Sequence, residues 1–60
     1  MNQGRAEMRA ADALRVLSRR GIAVSEETRS RISATTDLEL LERWFDRAIT
    51  ATTSDELFAD

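Results

Sequence analysis

The sequence predicts an all-α fold: a small helical hairpin of three helices plus a terminal helical turn, completed by dimerisation. Three observations carry this expectation. The 60 residues contain no Pro, and Gly21 with the Ser/Thr clusters at Ser25, Thr35-Thr36 and Thr52-Thr53-Ser54 divides the chain into helix-length segments. Apolar residues gather on helical faces in the first and last long segments. A chain this short buries only roughly 60% of its extended surface. It has no Cys to staple the fold, so sharing a core with a second copy is the remaining remedy.

The first helix is expected over 5–20, which is rich in Ala, Arg, Leu and Glu. At about 100° per residue, Ala6, Ala10, Ala13, Leu14 and Leu17 share one face. Three of these five are Ala, so the face is flat and admits a close neighbour. Gly21 stands where a left-handed residue ends a helix, and a Schellman turn there folds Ile22 back onto Leu17. Ile22 and Val24, two apart, point the same way from an extended linker.

Ser25 is an N-cap, with Glu26 and Glu27 in the first turn beside the helix dipole. The helix that it opens, 26–34, has Ile32 as its one large apolar residue and depends on tertiary contacts. A third helix follows over 37–50, with Thr36-Asp37-Leu38-Glu39 matching a capping box. Its apolar positions form two adjoining stripes, Leu38, Leu41, Phe45, Ala48 and Ile49 beside Leu40, Trp44 and Ala51. Together they are wider than a helix with one neighbour needs. The first helix should cover one side, with Phe45 in the intrachain core, while Leu40 and Trp44 face a second chain. Thr53-Ser54-Asp55-Glu56 repeats the capping pattern and opens a terminal turn, 54–58, ending in Leu57-Phe58. The expected interface is therefore Leu40, Leu41, Trp44, Phe45, Ile49, Leu57 and Phe58.

The composition argues against a self-contained enzyme. With no His, Cys, Lys or Tyr, the chain lacks the usual base, thiolate, Schiff-base amine and nitrogen-rich zinc ligands. Glu39, Glu42 and Asp46 stand at helical spacing opposite the Leu/Phe stripe, where Glu39 can pair with Arg43. A catalytic carboxylate instead needs burial or a like-charged neighbour in a pocket. Asp37, Glu39 and Glu42 have no phosphate partner that would make them magnesium ligands. Capping accounts for Ser25, Thr36 and Thr53 or Ser54. No cofactor is implied.

Charge is uneven. Residues 1–24 hold five Arg against two acids, a net +3, and residues 25–60 hold four Arg against nine, a net −5. Such halves attract within one chain or across two copies. Arg15, Arg19 and Arg20 supply the alternative reading, a small nucleic-acid-binding protein. Against it, Glu26 and Glu27 at the start of the second helix repel phosphate. No apolar run approaches the ~20 residues of a membrane span, and Met1-Asn2-Gln3-Gly4-Arg5 lacks a secretory signal's apolar stretch. The expected setting is the cytoplasm. All nine basic residues are Arg, a bias that fits a GC-rich bacterial coding sequence.

The string Arg20-Gly21-Ile22-Ala23-Val24-Ser25, then Ile32, Thr36-Asp37-Leu38, Leu41-Glu42-Arg43-Trp44, Ala48 and Asp55-Glu56-Leu57-Phe58 covers about two-thirds of the chain. It resembles the C-terminal helical tail of bacterial Rpn-family recombination-promoting nucleases, also described as putative transposases. In that family the nuclease domain lies upstream and uses acidic residues with a Lys, so the resemblance carries no catalytic residue to this chain. It implies self-association or control of a nuclease-like partner, by an excised tail or by a small product that inhibits the full-length enzyme. The reading of residues 1–60 is a single non-catalytic association domain forming a homodimer.

Overall fold

Helix-favouring residues dominate the opening segment. In the computed structural model, which describes residues 2–59 and the side chains from Gly4 onward, helix α1 runs Asn2–Arg19. Met1, in the opening read for a signal, and Asp60 lie outside the described residues. α1 begins three residues before the expected start, so Gly4 sits within the helix, where it costs about 1 kcal/mol relative to Ala. The Ala face is the buried one: Ala6, Ala10, Ala13 and Leu17 are all sealed from solvent, while Leu14 at its margin is half-buried.

α1 ends in a Schellman turn. Gly21 has φ of 75°, its N–H donates to the Ser18 carbonyl at 3.0 Å, and the Ile22 N–H donates to the Leu17 carbonyl at 2.9 Å. Ile22 then packs, half-buried, against the core that contains Leu17. A Cβ at position 21 would meet no atom within 4 Å, so substitution costs only the left-handed backbone. Gly21→Ala is expected to destabilise by about 1 kcal/mol and to lower the melting temperature by roughly 4–8 °C. A raised melting temperature in a thermal scan would contradict the turn.

Helix α2, Glu26–Ala34, is capped by Ser25, whose hydroxyl oxygen accepts the Thr28 N–H at 3.1 Å. It buries only Ile32 and Thr28. Helix α3, Leu38–Thr50, starts one residue later than expected, because Asp37 and not Thr36 is its N-cap. The Asp37 carboxylate accepts the Leu40 N–H at 3.2 Å. A charged acceptor gains from the helix dipole as well as from the hydrogen bond, which favours Asp over the neighbouring Thr.

The helices run up, down and up. Arg9 early in α1 approaches Glu42 early in α3, and Arg20 beyond the end of α1 reaches the Ala48 carbonyl near the end of α3. α1 and α3 are therefore parallel. α2 runs the other way, with Ser33 beside Ala10 and Leu14, and Arg29 beside Ser18 and Arg19. The core lies chiefly between α1 and α3: the Ala face of α1 meets Leu41, Trp44, Ala48 and Ala51, and Ile32 closes it from α2.

The wide face of α3 finds its second neighbour inside the same chain. A terminal 3₁₀ turn, Ser54–Phe58, folds back on α3, burying Leu57 fully and setting Phe58 edge-on to Trp44 at 4.9 Å. Trp44 is only 4% exposed. The expected division of the two aromatics is thus reversed: Trp44 fills the intrachain core and Phe45 sits half-buried at its edge. The reason is the turn, whose Leu and Phe cover the flank of α3 where Trp44 projects.

Two arginines fasten this arrangement. Arg20 donates to the Ala48 carbonyl at 2.9 Å and to that of Ala51, satisfying carbonyls that a helix end leaves without partners. Arg47 does the same for the turn, donating to the Leu57 carbonyl at 2.8 Å and to that of Ala59. The Arg31 guanidinium of α2 lies 4.1 Å over the Phe58 ring, an attractive cation–π geometry.

The Glu56 carboxylate holds the start of the turn. It accepts from the Thr52 hydroxyl, from the Thr52 N–H at 3.0 Å and from the Thr53 N–H at 3.1 Å. These bonds, led by the Thr52 hydroxyl, hold its pKa below the ordinary glutamate value. A depressed carboxylate stabilises above its unfolded pKa and loses that contribution as pH falls through the folded one. The turn is therefore expected to loosen as pH falls through and below the ordinary glutamate range, changing Trp44 fluorescence as Phe58 leaves it. In Glu56→Gln that acid-side step should vanish, and an unchanged step would assign it to another group.

Candidate functional site

Burial sorts the seven residues expected at an interface into three groups. Leu41, Trp44 and Leu57 are inside the chain's own core. Leu40 and Phe58 are half-buried on the side of the terminal turn. Phe45 and Ile49 lie on the opposite flank of α3, facing the edge of α1, and Ile49 is 51% exposed.

That second flank carries both of the large apolar side chains that stand exposed among the described residues. Leu38, Phe45 and Ile49 are seven and four residues apart, so helical phase puts them on one line, and Glu42, expected on the opposite face, stands between them beside Arg9. α1 contributes Met8, 66% exposed, which shares a shallow cleft of about 270 Å³ with Leu38, Glu42 and the arginines Arg5 and Arg9. Met8 and Ile49 are that exposed pair.

Arg9 knits the flank together. Its guanidinium approaches Asp12 at 3.8 Å and Glu42 at 3.9 Å and lies 5.1 Å from the centre of the Phe45 ring. Exposed ion pairs of this kind contribute at most about 1 kcal/mol each. The flank carries positive charge on its α1 edge, at Arg5 and Arg9, and negative charge on its α3 edge, at Glu42 and Asp46.

The remaining candidate residues are dispersed. Glu39, Glu42 and Asp46 are exposed, as is Asp37, whose side chain is occupied in capping. Glu39 and Arg43 form no ion pair; among the described residues Arg9 alone does so. No cluster of three or more acidic, His or Cys side chains suited to a metal ion occurs among the described residues. No described helix is long and apolar enough to cross a membrane. Of the three arginines considered for nucleic acid, Arg20 is committed to the carbonyls at the end of α3, and Arg15 and Arg19 are exposed on α1.

Sequence reasoning passed over Met8 and Arg29. Met8 had a legible signal, being a large apolar residue off the Ala face of α1. Arg29 had none, since only the antiparallel packing of α2 brings it to Arg15 and Arg19. No family model matches the chain, and comparisons with curated proteins and with solved structures find no match.

Proposed function

We propose that this chain is a non-catalytic protein–protein association module that pairs with a second copy of itself through the α1–α3 flank. One observation carries the reading: the two exposed large apolar residues, Met8 and Ile49, stand with Leu38 and Phe45 on a single side of the molecule. Burying a large apolar side chain contributes about 1.5–3 kcal/mol, and charged rims set the orientation. In a two-fold pair each patch meets its own copy, so the basic α1 edge of one protomer lies against the acidic α3 edge of the other.

The resemblance of residues 19–58 to Rpn-family tails is what supports a nuclease-like partner controlled by such pairing. The nucleic-acid alternative is the less favoured, because Arg20 is held by carbonyls. Light scattering at several concentrations tests the self-association. The wild-type chain should show a dimer mass that falls on dilution, and Met8→Glu/Ile49→Glu should stay monomeric with unchanged helical circular dichroism. A wild-type monomer mass at every concentration would overturn the reading.

A further inference from the structure

We infer that the groove between α1 and α2 is a docking site for an acidic amphipathic helix of a partner protein. This groove lies on the side of α1 away from the α1–α3 flank, and the inference does not depend on self-association. Two open clefts, of about 230 and 360 Å³, adjoin at Ala11 and Leu14, which line both. The groove's α1 wall runs from Glu7 to Arg19, a rise of about 18 Å or roughly three helical turns. Ala10, Ala11 and Leu14 give it an apolar floor with little relief, which lets another helix approach closely.

The charge is at one end. Arg15, Arg19 and Arg29 line the wider cleft, and among the described residues none has a carboxylate within ion-pair distance. Four other arginines are engaged, Arg9 with carboxylates, Arg20 and Arg47 with carbonyls and Arg31 with Phe58, while Arg5 and Arg43 stand apart from the groove. Arg15 and Arg19 are one turn apart on α1, the same spacing as two acids one turn apart on a facing helix. The complementary ligand therefore presents apolar residues at helical spacing to the floor and Asp or Glu to the three guanidinium groups.

Nucleic acid fits this groove less well. Its floor offers phosphates nothing, no aromatic side chain lines it for base stacking, and Glu7 stands at its far end.

The test is fluorescence anisotropy of a labelled helical peptide carrying Leu on one face and Glu along the adjoining one, titrated with the full chain. Binding is expected, weakened more than about tenfold in Arg15→Glu/Arg19→Glu, a loss of at least one charge-assisted contact. Arg43→Glu, which reverses an arginine outside both the groove and the α1–α3 flank, should change it less than about twofold. Leu14→Ala, which leaves every charge in place, should also weaken binding and separates the apolar floor from the charged end. Absence of binding, an effect of Arg43→Glu equal to that of Arg15→Glu/Arg19→Glu, or tighter binding of duplex DNA through Arg15 and Arg19 would each overturn the inference. Circular dichroism of each variant establishes that it is folded.

Discussion

Leu41→Asp is expected to abolish folding. Leu41 is fully buried at the centre of the α1–α3 contact, among Ala10, Leu17, Ile32 and Leu57 in one core cluster. A carboxylate there would have no partner in an otherwise apolar interior, and an uncompensated buried polar group costs several kcal/mol. Domains of ordinary size are stable by about 5–15 kcal/mol, and one this small belongs at the lower end or below. The single change therefore removes most or all of the margin. Far-UV circular dichroism should show loss of helicity at neutral pH; a folded Leu41→Asp chain with wild-type helicity would contradict the core described above.

Trp44→Ala should have the second largest effect, for a different physical reason. The indole is buried between α3 and the terminal turn and meets the Phe58 ring edge-on. Removing it leaves a cavity under Leu57 and Phe58, and large aromatic-to-alanine changes in cores cost about 3–5 kcal/mol. An equal loss of stability should appear in the monomeric Met8→Glu/Ile49→Glu background, since Trp44 acts inside one chain. Trp44→Phe, which keeps an aromatic opposite Phe58, should retain most of the stability. A folded Trp44→Ala chain that had merely lost self-association would move the residue to an intersubunit seam.

The contrast between Trp44 and Phe45 shows what the sequence could convey. Signals that act within a few residues were readable. Gly21 ended α1 in a left-handed turn, Ser25 capped α2, and the alanines of α1 marked the face that meets α3. Helical phase also showed that α3 is apolar over a wide arc. It could not show which flank of that arc a neighbour would cover, because the neighbour is the terminal turn, arriving from beyond the helix. Once Leu57 and Phe58 are placed, Trp44 is the covered aromatic and Phe45 the marginal one. The Thr36–Asp37 shift is smaller and local: either residue can cap, and the charged one does.

The arginines were the least legible. Arg20 satisfies carbonyls 28 and 31 residues away, and Arg47 closes the turn 10 and 12 residues downstream. In sequence both look like solvated surface charge. Of the five arginines with no carboxylate, carbonyl or ring partner among the described residues, Arg15, Arg19 and Arg29 stand around a single cleft, and only the packing of α2 on α1 brings Arg29 there. Met8 and Ile49 likewise become neighbours of one flank only through the parallel packing of α1 on α3.

Self-association through that flank is tested most directly by thermal melting across about a hundredfold range of protein concentration, because association of folded chains makes the melting temperature rise with concentration. The wild-type chain should melt higher as it is concentrated. Met8→Glu/Ile49→Glu should melt at one temperature throughout, close to that of the most dilute wild type. A wild-type melting temperature that stays constant over the whole range, with a monomer mass at the highest concentration, would contradict the account.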